Sequence, residues 1–282
     1  MKLLSFVRDG APTYGCLVDG CVIDLGRHFG SRAPDLKALI AAELVAEARA
    51  HASNVEDRLT LEGLALLPVI PNPGKIICVG LNYHEHVKET QRQTTEHPTL
   101  FLRVAESQVG HNQPLVRPIE TAKFDYEGEI ALVIGKSGRR IGAAQAWDHI
   151  AGYACYNDGS VRDWQAASNQ WTAGKNFWHT GGFGPWMVTA DEIAPGQELT
   201  LITRVNGQEM QRATTAMLIH SIPELLRHIS VFTPLDAGDV IVTGTPGGIG
   251  ARRTPPVFLS PGDVVEIEVS AIGTLVNEVA AE

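Results

Sequence analysis

Apolar and polar positions alternate through the first 25 residues, where 3–7, 14–18 and 21–25 each read as a short strand. Asp9-Gly10 and Asp19-Gly20 separate them, and Asp-Gly between such runs is the mark of a tight hairpin. From residue 31 to about 52 the spacing lengthens. Leu36, Leu39, Ile40, Leu44 and Val45 recur mostly three or four apart, which predicts a helix. Pro68, Pro71 and Pro73-Gly74 then interrupt the chain, which places a boundary between a small α/β domain at 1–70 and a larger one at 71–282.

Beyond that boundary the pattern is β-rich. Residues 75–80 are almost wholly apolar, as in a strand covered on both faces. Further strands are expected at 98–103, 123–135, 150–155, 186–189, 199–205, 239–243, 264–269 and 273–279, with a hairpin at Asn206-Gly207. Helical stretches are expected at 144–148 and within 214–230, where Pro223 begins a new turn.

The strand at 123–135 carries Asp125, Glu127 and Glu129, and a side-chain period of two puts all three on one face. Carboxylates that close cannot all stay ionised unless a cation joins them or some bind protons. A solvated acidic edge is the bland explanation. A site for a hard divalent cation is the sharper one, and the run alone leaves both open.

Composition narrows the classes. With 282 residues the chain can bury a full core, and 44% apolar with 20% charged residues is ordinary for a globular protein. A net charge of −9 argues against a nucleic-acid partner and requires local cations if the substrate is an anion. Four scattered cysteines show neither a CxxC pair nor a disulfide framework, and Cys78 and Cys155 sit in apolar runs as expected of buried thiols. The N-terminus does not read as a secretion signal and no apolar run is long enough to cross a membrane, so a cytoplasmic location is expected.

Candidate chemistry gathers at strand ends. Asn82 is a candidate N-cap for a short helix on which His86 and Glu89, three apart, share a face. A carboxylate behind an imidazole orients it and raises its basicity, as a general base requires, although an exposed surface pair has the same spacing. His84 with His86 also has HxH metal spacing, a weaker reading. Arg103 is either a functional cation or a solvated strand end; Asp158 is either a metal ligand or, with Ser160, a helix cap. Lys175 heads a glycine-rich loop without a Walker pattern, and the glycines from Gly244 to Gly250 lack dinucleotide spacing and precede Pro255-Pro256.

Taken in order, these pieces resemble the fumarylacetoacetate hydrolase family. The matching residues are 75–80 with Asn82, Tyr83, His86 and Glu89, then Asp125-Tyr126-Glu127 with Glu129. Asn157-Asp158 with Ser160 and Arg162-Asp163-Trp164-Gln165 follow, then Gly174-Lys175 with Gly184-Pro185, then Gly238-Asp239 leading to Thr243-Gly244-Thr245-Pro246. The resemblance implies an α+β fold, a mixed β-roll catalytic domain behind the small N-terminal domain, and a homodimer. It implies Mg²⁺ or Mn²⁺ held by Glu127, Glu129 and Asp158, and a small-molecule 2-oxo acid as substrate. His86, Glu89 and Lys175 would be catalytic, and Arg103, Gln165, Lys175 and Thr245 would bind substrate.

The first activity so implied is hydrolysis of the C–C bond of an acylpyruvate-type diketo acid to pyruvate and a carboxylic acid, in aromatic or sugar-acid breakdown. The alternative is a decarboxylase, hydratase or isomerase of an oxaloacetate or 2-oxohept-3-enedioate type. A catalytically silent binder of small carboxylates is a third. Two departures stand out. Arg103 replaces a common Lys, and Asn176-Phe177-Trp178 replaces a common Ser-Phe-Asp, so that Trp178 either shapes the acyl pocket or packs its loop.

Overall fold

Both Asp-Gly pairs take left-handed backbone conformations, with φ of 52° and 77° at Asp9 and Gly10 and 50° and 79° at Asp19 and Gly20. These turns fold the strands Lys2–Arg8, Ala11–Val18 and Cys21–Asp24 into an antiparallel meander. The helix expected over 31–52 is two helices instead, Leu36–Ala41 and Val45–Ala52. Glu43, at φ 56°, breaks the run, and Asp35 caps the first helix by accepting from Ala38 N at 2.7 Å. The structure, a computed structural model, describes residues 1–282.

A 12-stranded mixed sheet runs through the chain. Its N-terminal strand Lys2–Arg8 pairs with Gly181–Thr189, which joins Ile150–Asn157, Gly128–Ile134, Val240–Val242, Ile76–Gly80 and Thr99–Arg103 in that order. Ile76–Gly80 lies parallel to Val240–Val242, and the apolar strand read at 75–80 is therefore central, as its composition requires. A five-stranded sheet built from Leu115–Arg117, Thr200–Val205, Gln208–Thr214, Val264–Val269 and Gly273–Ala281 covers one side.

The strand Gly128–Ile134 is buried along its whole length. Its odd and even positions serve two cores. Ile130, Leu132 and Ile134 pack with Leu201, Ile267 and Leu275 of the second sheet. Ala131 and Val133 belong to the cluster holding Ile23, Leu36, Leu39 and Cys78. A Cβ at Gly128 would lie 2.0 Å from Thr203 Oγ1, so only glycine lets the two sheets approach there. The helix Ile222–Phe232 starts at a Ser221–Glu224 capping box with Pro223 in its first turn and buries Leu225, Leu226 and Ile229. The fold is α+β, and no helix is long and apolar enough to cross a membrane.

Candidate active site

Sheet register assembles the acidic cluster. Gly128 pairs with Asn157, so Glu127 just before one strand meets Asp158 just after the other. Asp158 N donates to Glu127 O at 2.8 Å and Glu127 N to Asn157 Oδ1 at 3.0 Å, locking the two ends together. Glu129 lies two residues on, on the same face. One oxygen from each of Glu127, Glu129 and Asp158 lies within 4.8 Å of the others, and all three residues are buried. Asp125 does not join them. The strand breaks after Phe124–Asp125, which pairs separately with Ser160–Val161. The Asp125 carboxylate turns instead to the backbone N–H of Gly250 and Ala251, both at 2.9 Å. The glycine run before Arg252 thus cradles a carboxylate of its own chain, and it ends in a 3-10 turn, Gly250–Arg252, as the rejection of a dinucleotide loop requires.

Three cations face these acids. Arg162 binds Asp125 at 2.8 Å and Glu127 at 2.5 Å. Lys175 Nζ bridges Glu127 at 2.7 Å and Asp158 at 2.5 Å. Arg103 binds Asp158 at 2.6 Å. Burial alone would push Glu127 up, but Lys175 and Arg162 outweigh it and hold its carboxyl well below the usual range. Glu129 goes the other way: burial, then the charges of Asp158 and Glu127, push it well up. Its one hydrogen bond comes from Gly244 N at 2.5 Å. Four carboxylates against three fixed cations leave one negative charge uncompensated, and the strain falls on Glu129. Oxygen donors with a charge deficit suit a hard dication such as Mg²⁺ or Mn²⁺, so the residues present fit such an ion.

The helix His84–Glu89 supplies the imidazole. His86 Nδ1 lies 2.7 Å from Glu89 Oε1, and the other Glu89 oxygen accepts from Gly248 N at 2.8 Å. The pair is therefore anchored to the 244–250 loop rather than exposed to solvent, with His86 only 6% accessible. Asn82 is not the cap; Tyr83 occupies that position. The Asn82 amide donates to Thr243 O at 2.8 Å and to His220 O at 3.1 Å, and its oxygen accepts from His220 N at 2.7 Å. It ties the start of this segment to the strand end that leads to Gly244. His84 is exposed while His86 is buried, so the two do not form an HxH site.

His86, Glu127, Glu129, Gln165, Lys175 and Thr245 line one cavity of about 240 Å³. Six of the nine residues read from the sequence as site residues thus share a cavity wall. Glu89 and Asp158 stand directly behind that wall, bonded to His86 and Lys175. Arg103 does not reach it. Its guanidinium is enclosed by Asp158, Gly159 O at 3.1 Å, Thr180 Oγ1 at 3.0 Å and Ser107 Oγ at 3.2 Å, where it braces Asp158. Gln165 accepts from Arg162 at 3.0 Å, which leaves its NH₂ available. The Thr245 hydroxyl already donates to Gly128 O at 3.0 Å and accepts from Gln211 at 2.8 Å.

Trp178 is 56% exposed and stacks on His179, ring centres 3.6 Å apart, outside the cavity. Trp171 is the tryptophan that lines the cavity, with Arg92, Phe101 and Arg252. Sequence reasoning passed over these four. The signals were faint: an isolated Trp after Ser168-Asn169-Gln170, and an Arg doublet after a glycine-rich loop.

Fold and site together define a class, and comparison with known proteins agrees. Residues 75–280 match the family described as fumarylacetoacetate (FAA) hydrolase C-terminal, and the chain belongs to the fumarylacetoacetate hydrolase family, whose members are enzymes. The protein is 35% identical over 287 residues to the Xenopus laevis "Oxaloacetate tautomerase fahd2, mitochondrial", covering 99% of this chain and 90% of that one. A fumarylacetoacetate hydrolase from Exiguobacterium antarcticum superposes with a TM-score of 0.89 at 34% identity, covering 100% of both chains. The maleylpyruvate hydrolase of Sphingobium sp. SYK-6, in complex with manganese(II) and pyruvate, superposes with a TM-score of 0.83 at 27% identity over 100% of this chain and 99% of that one.

Proposed function

We propose that the protein interconverts the keto and enol forms of a 2-oxo acid, with Mg²⁺ or Mn²⁺ held by Glu127, Glu129 and Asp158. One observation carries this reading: His86, buried and held by Glu89 from behind, lines the same small cavity as Glu127 and Glu129. The naming of the full-length Xenopus relative as an oxaloacetate tautomerase supports it. When bound, the ion supplies Lewis-acid stabilisation of negative charge on the 2-oxo oxygen.

The protein's own groups do the rest. Glu89 accepts the Nδ1 proton of His86, leaving Nε2 as the basic nitrogen. Nε2 removes a proton from the carbon next to the carbonyl, the C–H electrons move into a C=C bond, and the oxo oxygen takes up the charge. The same proton is then delivered to that oxygen, so the reaction balances with no other reactant. Lys175, with two of its three N–H groups engaged, and the Gln165 amide donate to substrate oxygens. Thr245 holds Gly128 in place. Base assistance of this kind is worth roughly 10²–10⁴-fold.

Hydrolysis of the C–C bond of an acylpyruvate is the second reading, and the Sphingobium maleylpyruvate hydrolase, solved with manganese and pyruvate, favours it. There the same His86 nitrogen would take its proton from water. Both readings have the enzyme working as a cytoplasmic homodimer, whereas the Xenopus relative is itself designated mitochondrial.

Proton NMR in D₂O separates the two. With Mg²⁺ or Mn²⁺ present, loss of the C3 protons of oxaloacetate should accelerate without bond cleavage. Release of pyruvate from acylpyruvates, with label from ¹⁸O-water in the new carboxylic acid, would instead favour hydrolysis. Neither effect would sink both.

A further inference from the structure

The ring nitrogens of His86, His111 and His149 are engaged with Glu89, Val276 N and Lys136 O. His97 and His228 meet each other instead. Their ring centres lie 5.2 Å apart with planes inclined at 29°, and neither ring makes a hydrogen bond within the protein. They come from different elements. His97, exposed, lies between the helix His84–Glu89 and the strand Thr99–Arg103, while His228, half-buried, belongs to the helix Ile222–Phe232.

Metal geometry gives that spacing a meaning. With Zn–N bonds of about 2.0–2.1 Å, two imidazoles on one tetrahedral ion have centres about 5 Å apart. The stacked rings of His28 and His51 are the contrast, with centres 3.9 Å apart and planes inclined at 19°. Lone pairs lie in the ring plane, so rings that close and that parallel aim theirs past each other. His97, being exposed, can turn a ring nitrogen toward His228 without displacing a neighbour.

The surroundings suit a ligand. Burial first, then the charges of His97, Arg227 and His220, hold the His228 imidazole below its ordinary value, so the ring is neutral near pH 7 with a lone pair to give. Glu224 stands one turn before His228 on the same helix and Glu96 next to His97, two carboxylates against the Arg227 guanidinium.

Position gives the pair a consequence. His86, Thr90 and Arg92, all ahead of His97 in one stretch of chain, form part of the wall of the active cavity. The start of that stretch is already tied down, Tyr83 opposite Leu218 and Asn82 to His220. A link from His97 to His228 fastens its far end to the helix that follows.

We propose that His97 and His228 form a second metal site, for an ion of the Zn²⁺ or Cu²⁺ class, which pins residues 84–97 as a wall of the active cavity. Imidazole nitrogens favour such ions over Mg²⁺, whereas Glu127, Glu129 and Asp158 offer only oxygens. The two sites answer to different metals, and this one stands whatever reaction the cavity performs.

One equivalent of Cu²⁺, added to protein in excess Mg²⁺, should show nitrogen coupling in its electron paramagnetic resonance spectrum. Calorimetric titration with Zn²⁺ in the same excess of Mg²⁺ should detect the site. His97→Phe and His228→Phe keep an aromatic pair but lose the nitrogens. Each should weaken Zn²⁺ binding at least about tenfold, and the double variant little more than either, since the two act as a unit. Metal-free melting temperatures should match the wild type, which separates lost binding from lost fold. Amide hydrogen exchange over 84–97 should slow when Zn²⁺ is added to the wild type, and not in the variants. No nitrogen coupling in the wild type, or coupling and affinity unchanged in both variants, would overturn the site; the latter would put the ion on other histidines. Zn²⁺ bound by this pair without slower exchange would overturn the pinning.

Discussion

The guanidinium of Arg103 closes on Asp158 from behind the site, Nη1 to Oδ1 at 2.6 Å, with neither side chain reached by solvent. Ser107, Gly159 and Thr180 complete its contacts, so Arg103 acts on the site by fixing a carboxylate. Arg103→Met removes one partner of a buried pair and should lower stability by about 3–5 kcal/mol. Denaturant unfolding reads this, and Mn²⁺ affinity should fall with it. Arg103→Lys should recover only part, because an ammonium cannot serve all four acceptors at once. Unchanged stability in the Met variant would show that Asp158 needs no such brace.

Glu129 carries the unfavourable charge of the acidic cluster, and its neutral replacement separates metal binding from folding. With a chelator present, Glu129→Gln should melt no lower than the wild type, since the charged form of this carboxylate is disfavoured by burial and by its neighbours. With Mn²⁺ the wild type should gain about 2.7 kcal/mol at a hundredfold excess over Kd, and the variant should gain almost nothing. A metal-induced Tm shift that survives the substitution would remove Glu129 from the ligand set.

Glu89 makes two contacts with different consequences. Glu89→Gln can still accept from Gly248 N but no longer places a negative charge behind His86. The rate of C3 proton exchange should drop by about 10²-fold, with oxaloacetate affinity little changed. An equal loss of affinity and rate would mean that Glu89 only docks its segment on the loop.

Burial suppresses the thiols. It raises Cys16 to about 11 and Cys155 to about 12, and takes Cys78 well above its usual value. The thiolate is the reactive form, so at pH 8 these three should resist a thiol reagent in the folded protein. Half-buried Cys21 alone should react, and all four should react in denaturant. Reactivity of Cys16 should appear only as the pH approaches its raised value, and rapid labelling of Cys78 at pH 8 would contradict the packing around it.

Much of this protein is written locally. Asp9-Gly10 and Asp19-Gly20 turn the chain because those residues tolerate left-handed conformations, whatever surrounds them. Glu127 and Glu129 share a face because a strand repeats every two residues, and His86 meets Glu89 because a helix brings positions three apart together. Local rules also mislead. They extended one strand through Asp125, whose carboxylate is drawn off by Gly250 and Ala251, and one helix through Glu43. They drew attention to Trp178, which lies outside the cavity, and not to Trp171, which lines it.

Residue order is enough to say which side chains can act and in what short-range pairs, because backbone geometry sets those spacings before the chain is folded. Tertiary structure alone decided that Lys175 bridges Glu127 and Asp158, that Arg103 stands behind the site and that Arg92 and Arg252 face into it. Those meetings join residues far apart in the chain, and they depend on sheet register and on which surfaces pack together, which no local spacing encodes.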